Sequence, residues 1–381
     1  MTCEKLFART TLARLFAAGC IAMLSMDIAF IPTAAQAQNA ARAKLYDVVK
    51  LAGGVYAFVW KNPLENPIES NALFIINEQD VVVVDTGSFA ETGRLMAAEV
   101  KKLTSLPVRY VVNTHWHDDH HGGNAVYREL WPGAEIIAHR DTRTDMIERS
   151  YAGRPKSIAG MEQTFAKYQR WLAEGKDDNG KALDEDRRAR VKDVVDFFEA
   201  DLPKFRAVKE APPTVTLTDQ LVLKRGERTI DIRWLGLGNT RGDVVVYLPK
   251  ERIVATGDLL VLPIPFAFGS YYEQWADTLG RLDKLDADIL LPGHGPILRD
   301  HVALRSVEAL LRALVGEVKA AVAAGATLEE TRRRVTLAEW KEKFAGDDKT
   351  RQAAFASFVL QAAIERLWRQ ARGEADPPPG V

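Results

Sequence analysis

Four histidines and two aspartates occupy seven consecutive positions, 115–121, of "VVNTHWHDDHHGGN", directly after an apolar run. Ionisable side chains gathered this densely at the end of a buried segment carry a desolvation cost unless something pairs them. His115 and His117 alternate around Trp116, so in an extended loop their side chains converge on one point. Asp119 and His120 are adjacent and must diverge, which suits a second point nearby. Borderline divalent ions such as zinc accept this mixture of imidazole nitrogen and carboxylate oxygen.

The flanking sequence supplies a layered scaffold. "GVYAFVW", "NALFIIN" and "VVVVDTG" read as short strands from Gly54 onward, "SFAETGRLMAAEVKKL" as an amphipathic helix, and "PVRYVVNTH" as the next buried strand. Strand, helix, strand points to an α/β layered domain. Residues 140–210 are charged and helical and read as an insertion. Strands return in "TVTLTDQLVLKRGERTIDIRWLG", where "KRGER" marks a hairpin, then in "VVVYLP", "RIVATGD" and "DILLPGHG". The domain is expected over 45–300, a helical extension over 301–372 and a polar tail over 373–381.

Lys and Arg number 51 against 52 Asp and Glu, a balance that argues against a nucleic-acid or membrane-surface partner and leaves a small-molecule substrate. The first 37 residues have the form of an export signal: Lys5, Arg9 and Arg14, an apolar stretch, then "TAAQAQ". Export to the periplasm or the medium is therefore expected, with no membrane-spanning segment left in the mature chain. Both cysteines, Cys3 and Cys20, lie in that leader, so neither a disulfide nor a thiolate ligand is expected beyond it.

"HWHDDH" followed by Gly122 and Gly123 resembles the HxHxDH motif of the metallo-β-lactamase fold superfamily. "VVVVDTG" with Asp85, "TGDLL" and "LPGHG" resemble further motifs of that superfamily, in the same order, across roughly residues 50–300. The resemblance implies a four-layer αββα sandwich with a helical insertion and a helical C-terminal extension. It also implies His115 and His117 as ligands of a first metal, Asp119, His120 and His294 of a second, and Asp258 bridging both. Asp258 and His294 end strands in the residue pattern too, where layered α/β folds place binding residues. The departure is "GLGNTRGD", where Asn239 stands in place of the usual histidine, so the first metal site is expected to be the looser one. Asp85 is expected to support the metal loop through hydrogen bonds. The other histidines, His121, His139 and His301, are read as structural.

The function implied is an exported zinc hydrolase with one tight ion and room for a second, using metal-bound hydroxide on a small ester, lactone or amide. Asp119 and Asn239 are the catalytic candidates, Asn239 as a donor to substrate or oxyanion. Trp116, Phe266, Phe268 and Tyr271 are the candidate substrate wall, with Trp60 and Pro63 beside them. No arginine or lysine cluster stands next to the motifs, which argues against a polyphosphate. A β-lactam is less favoured, because members acting on β-lactams usually carry Cys or Ser where Asp258 stands. The alternatives are a non-catalytic metal- or ligand-binding module and a mono-iron thiol or persulfide oxygenase.

Overall fold

The computed structural model describes residues 45–64 and 68–374; the expected export signal over 1–37 and most of the expected polar tail lie outside them. Strands β1 (Tyr46–Ala52), β2 (Val55–Trp60), β3 (Ala72–Ile76) and β4 (Val81–Val84) form an antiparallel meander. Helix α1 (Ala90–Leu103) then carries the chain over to β5 (Val108–Val112), which pairs parallel with β4. Two short helices follow, α2 (Asp118–His121) and α3 (Asn124–Leu130), before β6 (Glu135–His139).

After β6 the chain turns helical through α4 (Arg140–Asp145), a π-helical turn at Met146–Tyr151, α5 (Ala152–Glu174) and α6 (Glu185–Ala207). Strand β7 (Val215–Leu217) completes a seven-stranded sheet in the order β1 to β7. A second sheet contains β8 (Gln220–Arg225), β9 (Arg228–Trp234), β10 (Val244–Leu248), β11 (Ile253–Val261) and, after α7 (Tyr272–Leu282), β12 (Ile289–His294). Its spatial order is β12-β11-β10-β9-β8. The remainder is helical: α8 (Val302–Ala323), α9 (Leu328–Arg334), α10 (Ala338–Ala345), α11 (Lys349–Phe355), a π-helical stretch at Ala356–Gln361 and α12 (Ala362–Ala371).

The period-2 alternation of the strands builds the layers, since successive side chains leave a strand on opposite faces. Leu73, Ile75, Val82 and Val84 meet Ile230, Val244, Val246 and Ala255 between the two sheets. The alternate residues Phe74, Val81 and Val83 pack outward on Met96 and Val100 of α1, and Val245 and Val254 pack outward under α7 and α8. The central strands of each sheet are thus buried on both faces, which is why they are nearly continuous Val, Ile and Leu. The αββα sandwich is the architecture expected.

The helices added to the sandwich have cores of their own or share one. Helices α5 and α6 bury Met161, Tyr168, Trp171, Val194 and Phe198 between them, against Ile68 and Phe89. The C-terminal helices extend the outer layer over the second sheet through Phe355, Phe358, Ile364 and Leu367.

Candidate metal centre

The candidate ligands gather at one end of the sandwich, where β4, β5, β11 and β12 bring their loops together. Asp85 follows β4 with φ of 60°, a left-handed conformation that a short polar side chain tolerates better than most. It accepts hydrogen bonds from the backbone N–H of Thr114 at 2.8 Å and the hydroxyl of Thr114 at 2.8 Å, fixing the start of the histidine loop. The support role expected of Asp85 is met. Its Oδ2 also lies 2.7 Å from His120 Nδ1. A carboxylate can only accept, so the proton sits on Nδ1 and the Nε2 lone pair is left to face the centre.

Two donor groups form within this end of the molecule: Asp119, His120, Asp258 and His294 in one, and His115, His117 and Asp258 in the other. In each, one ligand atom per residue lies within 4.8 Å of all the others. His120 Nε2 is 3.2 Å from Asp119 Oδ2 and 3.3 Å from Asp258 Oδ1, while His294 Nε2 is 3.0 Å and 3.5 Å from the same two oxygens. Four donors placed tetrahedrally about an ion at the usual zinc distances are separated by roughly 3.3 Å. Asp258 turns its other oxygen, Oδ2, toward His115 Nε2 at 3.8 Å, and His115 Nε2 lies 2.9 Å from His117 Nδ1. One carboxylate therefore faces both groups.

His120 Nε2, His294 Nε2 and Asp258 Oδ1 are buried and make no hydrogen bond among the described residues. Buried polar atoms without partners are costly, and three of them pointing at one place fit a cation. Charge argues the same way. Burial disfavours a proton on His120, yet Asp119, Asp85 and Asp258 together pull its pKa well above the ordinary imidazole value. His115 is pushed far down by burial and by the neighbouring His120 and His117, and His117 is lowered chiefly by burial, so both rings are neutral, as ligation requires.

Close backbone approach makes this geometry possible. Strand β11 does not end at Asp258, as the sequence suggests, but runs on irregularly to Val261, with Gly257 in a left-handed conformation at φ 51°. A Cβ on Gly293 would stand 2.0 Å from Asp258 Oδ1, so β12 has to carry glycine where it passes the shared carboxylate.

Asn239 is buried at the edge of the second group. Its Oδ1 accepts a hydrogen bond from Ser270 at 3.0 Å, while its Nδ2 has no partner among the described residues. It lines a small surface cleft together with His117, Trp116, Phe268 and Tyr271. Three of the four aromatic residues proposed from sequence therefore border it. Phe266 does not: its ring lies against His294 at 5.0 Å and Phe358 at 5.1 Å, roofing the metal cluster instead. Trp60 is packed on Phe58 and Tyr46 in the outer core, and neither it nor Pro63 lines the cleft.

The cleft also corrects the expectation that no basic residues stand near the motifs. Asp145, Arg149 and Arg241 line it. Arg149 comes from the π-helical turn of the insertion, and nothing in its local sequence marks it. Arg241 stands two residues after Asn239 and was legible as a neighbour of that position. The insertion reaches the histidine loop a second time, because Ser150 and Arg154 both hydrogen-bond Asp118 Oδ1, Arg154 at 3.2 Å. The spare histidines are structural, as expected. His121 bonds the Trp116 carbonyl at 2.9 Å, His139 the Thr218 carbonyl at 2.8 Å, and His301 bonds Asp283 at 2.7 Å.

Residues 66–294, more than half of the chain, match the model of the metallo-beta-lactamase superfamily, and the chain belongs to that superfamily. A linear primary-alkylsulfatase from Pseudomonas sp. (strain ATCC 19151) is 24% identical over 232 residues, 57% of this chain and 40% of that protein. The chain thus spans about two fifths of the length of that curated relative. Among solved structures, a metallo-beta-lactamase from Pontibacter korlensis is 20% identical, with a TM-score of 0.49 over 70% of this chain and 99% of that one. The DIM-1 metallo-beta-lactamase is 19% identical, with a TM-score of 0.45 over 70% of this chain and 97% of its own. No helix among the described residues is long and apolar enough to cross a membrane.

Proposed function

We propose that this chain is an exported zinc hydrolase that cleaves a small ester, lactone or amide, with one firmly held ion and a second, weaker position. The observation that carries the reading is the pair of donor groups sharing Asp258. Zinc suits their nitrogen and oxygen donors, and a bound divalent ion supplies Lewis acidity that makes water a nucleophile near neutral pH. Asp119, His120, His294 and Asp258 hold the firm position. His115, His117 and Asp258 hold the weaker one, short of an imidazole because Asn239 is a neutral amide.

The protein's own groups do the rest. Asp119 is the more accessible of the two carboxylates in the firm group, its side chain 19% exposed against 3% for Asp258. With Oδ2 turned to His120 and His294, its Oδ1 takes the proton of the attacking water. Asn239, held by Ser270, directs its Nδ2 hydrogens to the oxygen on which charge builds. Trp116, Phe268 and Tyr271 exclude water from the substrate's apolar part. Export rests on the leader of Lys5, Arg9, Arg14 and the apolar stretch after them.

A second reading, hydrolysis of a sulfate ester, is favoured by the resemblance to the alkylsulfatase. The test is turnover of chromogenic carboxylic and sulfate esters by the zinc-loaded chain and by Asp258→Ala. Wild-type turnover with a loss of at least about 1,000-fold in the variant is expected, since both donor groups lose their shared ligand. Equal rates in the two proteins would refute it.

A further inference from the structure

The cleft beside the metal centre carries two guanidiniums and one carboxylate, and their arrangement is fixed. Asp145 takes Arg241 in a two-point grip, with Nε and Nη2 each 2.8 Å from its oxygens, and Arg149 Nη1 lies 3.8 Å from the same carboxylate. The Arg149 guanidinium is stacked 4.6 Å from the Trp116 ring, whose other neighbour, at 4.8 Å, is the ring of His117. Tyr271, on the same lining, has Arg366 of α12 beside its face at 5.4 Å. Asp145 contacts both arginines, so the lining presents guanidinium N–H groups held in place beside His117, a metal-ligand candidate. Planar, multiply donating guanidiniums held in fixed orientation are suited to a carboxylate or a sulfo group. The aromatic remainder of the lining suits a short apolar body attached to it.

We propose that Arg149 and Arg241 form an anion-recognition subsite, and that the substrate is a small ester bearing a carboxylate or sulfo group, oriented by that subsite with its scissile bond at the His117–Asn239 side. This rests on the hydrolase reading for the scissile bond, but the subsite itself does not. Asp145 is the positioning residue: it holds the Arg241 fork still and stands beside Arg149. The π-helical turn at Met146–Tyr151 serves the same end, because it swings Arg149 and Ser150 toward the histidine loop while the helix continues on either side.

The experiment uses the zinc-loaded chain and three 4-nitrophenyl esters: the neutral acetate, the succinate half-ester and the sulfoacetate. Expected is a kcat/KM for one of the two anionic substrates at least 10-fold above that for the acetate. Arg149→Met, which keeps an unbranched side chain packed on Trp116, lowers that anionic value 10- to 100-fold and changes the acetate value less than 3-fold; Arg149→Lys recovers part of the loss. Which anionic substrate responds distinguishes a carboxylate from a sulfo group. Equal losses on all substrates, or a preference for the acetate, would overturn the subsite, since a staple that merely pins the insertion to the core affects every substrate alike. If no ester is turned over, the hydrolase reading fails by itself, and calorimetric titration with benzenesulfonate decides the subsite. Affinity at least 10-fold weaker in Arg149→Met supports it, and unchanged affinity overturns it.

Discussion

His120 Nδ1 and Asp85 Oδ2 lie 2.7 Å apart, both almost fully buried, and this contact fixes which nitrogen of His120 faces the metal centre. Asp85 also holds both the N–H and the hydroxyl of Thr114, so one carboxylate sets the backbone and the ring. Partners that orient ligands typically account for 10- to 100-fold in metal affinity. Asp85→Ala is expected to weaken zinc binding by about that factor, read by competition with a chromogenic chelator.

Asn239 separates a loose site from a complete one. Asn239→His restores an imidazole beside His115 and His117, and the second zinc is expected to tighten by about 10-fold or more in calorimetric titration. Asn239→Ala should leave the affinity of the first zinc unchanged while lowering kcat roughly 100-fold, the usual cost of one donor to a developing oxyanion.

Glu69 gives a stability prediction with a defined sign. Burial raises its pKa to about 7, against stabilising hydrogen bonds from Thr92 and the N–H of Ser88. Its folded-state value exceeds the unfolded one, so the folded chain holds the proton more firmly. That contribution is complete below about pH 4.5 and is lost as pH rises through 7. Glu69→Gln keeps the amide neutral throughout, and its melting temperature relative to wild type should therefore climb between pH 6 and 8. A difference that stays flat across this window counts against the buried, protonated carboxyl.

The C-terminal helices reach the centre through Phe358, whose ring meets Phe266 at 5.1 Å and Phe268 at 5.0 Å. Its carbonyl also accepts the N–H of Ala267 at 3.0 Å. Phe358→Ala should cost about 3 kcal/mol by denaturant unfolding, as buried aromatic truncations do. It should also lower activity, because the roof over His294 and one wall of the cleft lose the same support.

The candidate ligand cluster was legible because a metal site needs particular residue types at short spacing, and "HWHDDH" supplies them in a row. The central strands were legible because a sheet covered on both faces is written as Val and Ile runs. Strand β1 was not: Tyr46–Ala52 is an edge strand, half exposed and carrying Asp47 and Lys50, so its apolar signal is diluted. Arg149 was invisible for another reason. It lies 32 residues or more beyond the metal-loop pair His115 and His117 and is delivered to them by a change of helical pitch, which side-chain periodicity does not record. Phe266 and Phe268, two residues apart in one loop, both meet Phe358, but Phe266 lies against His294 while Phe268 borders the cleft.

The measurement that bears most directly on the metal centre is zinc stoichiometry and activity followed together, for the wild type and for His294→Ala. After brief chelation the wild type should retain one zinc per chain, already with most of its hydrolytic rate, and bind a second only at higher free zinc. His294→Ala should lose the retained ion and the rate together. A wild type that retains no zinc, or a variant that keeps both its ion and its rate, would contradict the assignment of Asp119, His120, His294 and Asp258 as the firm site.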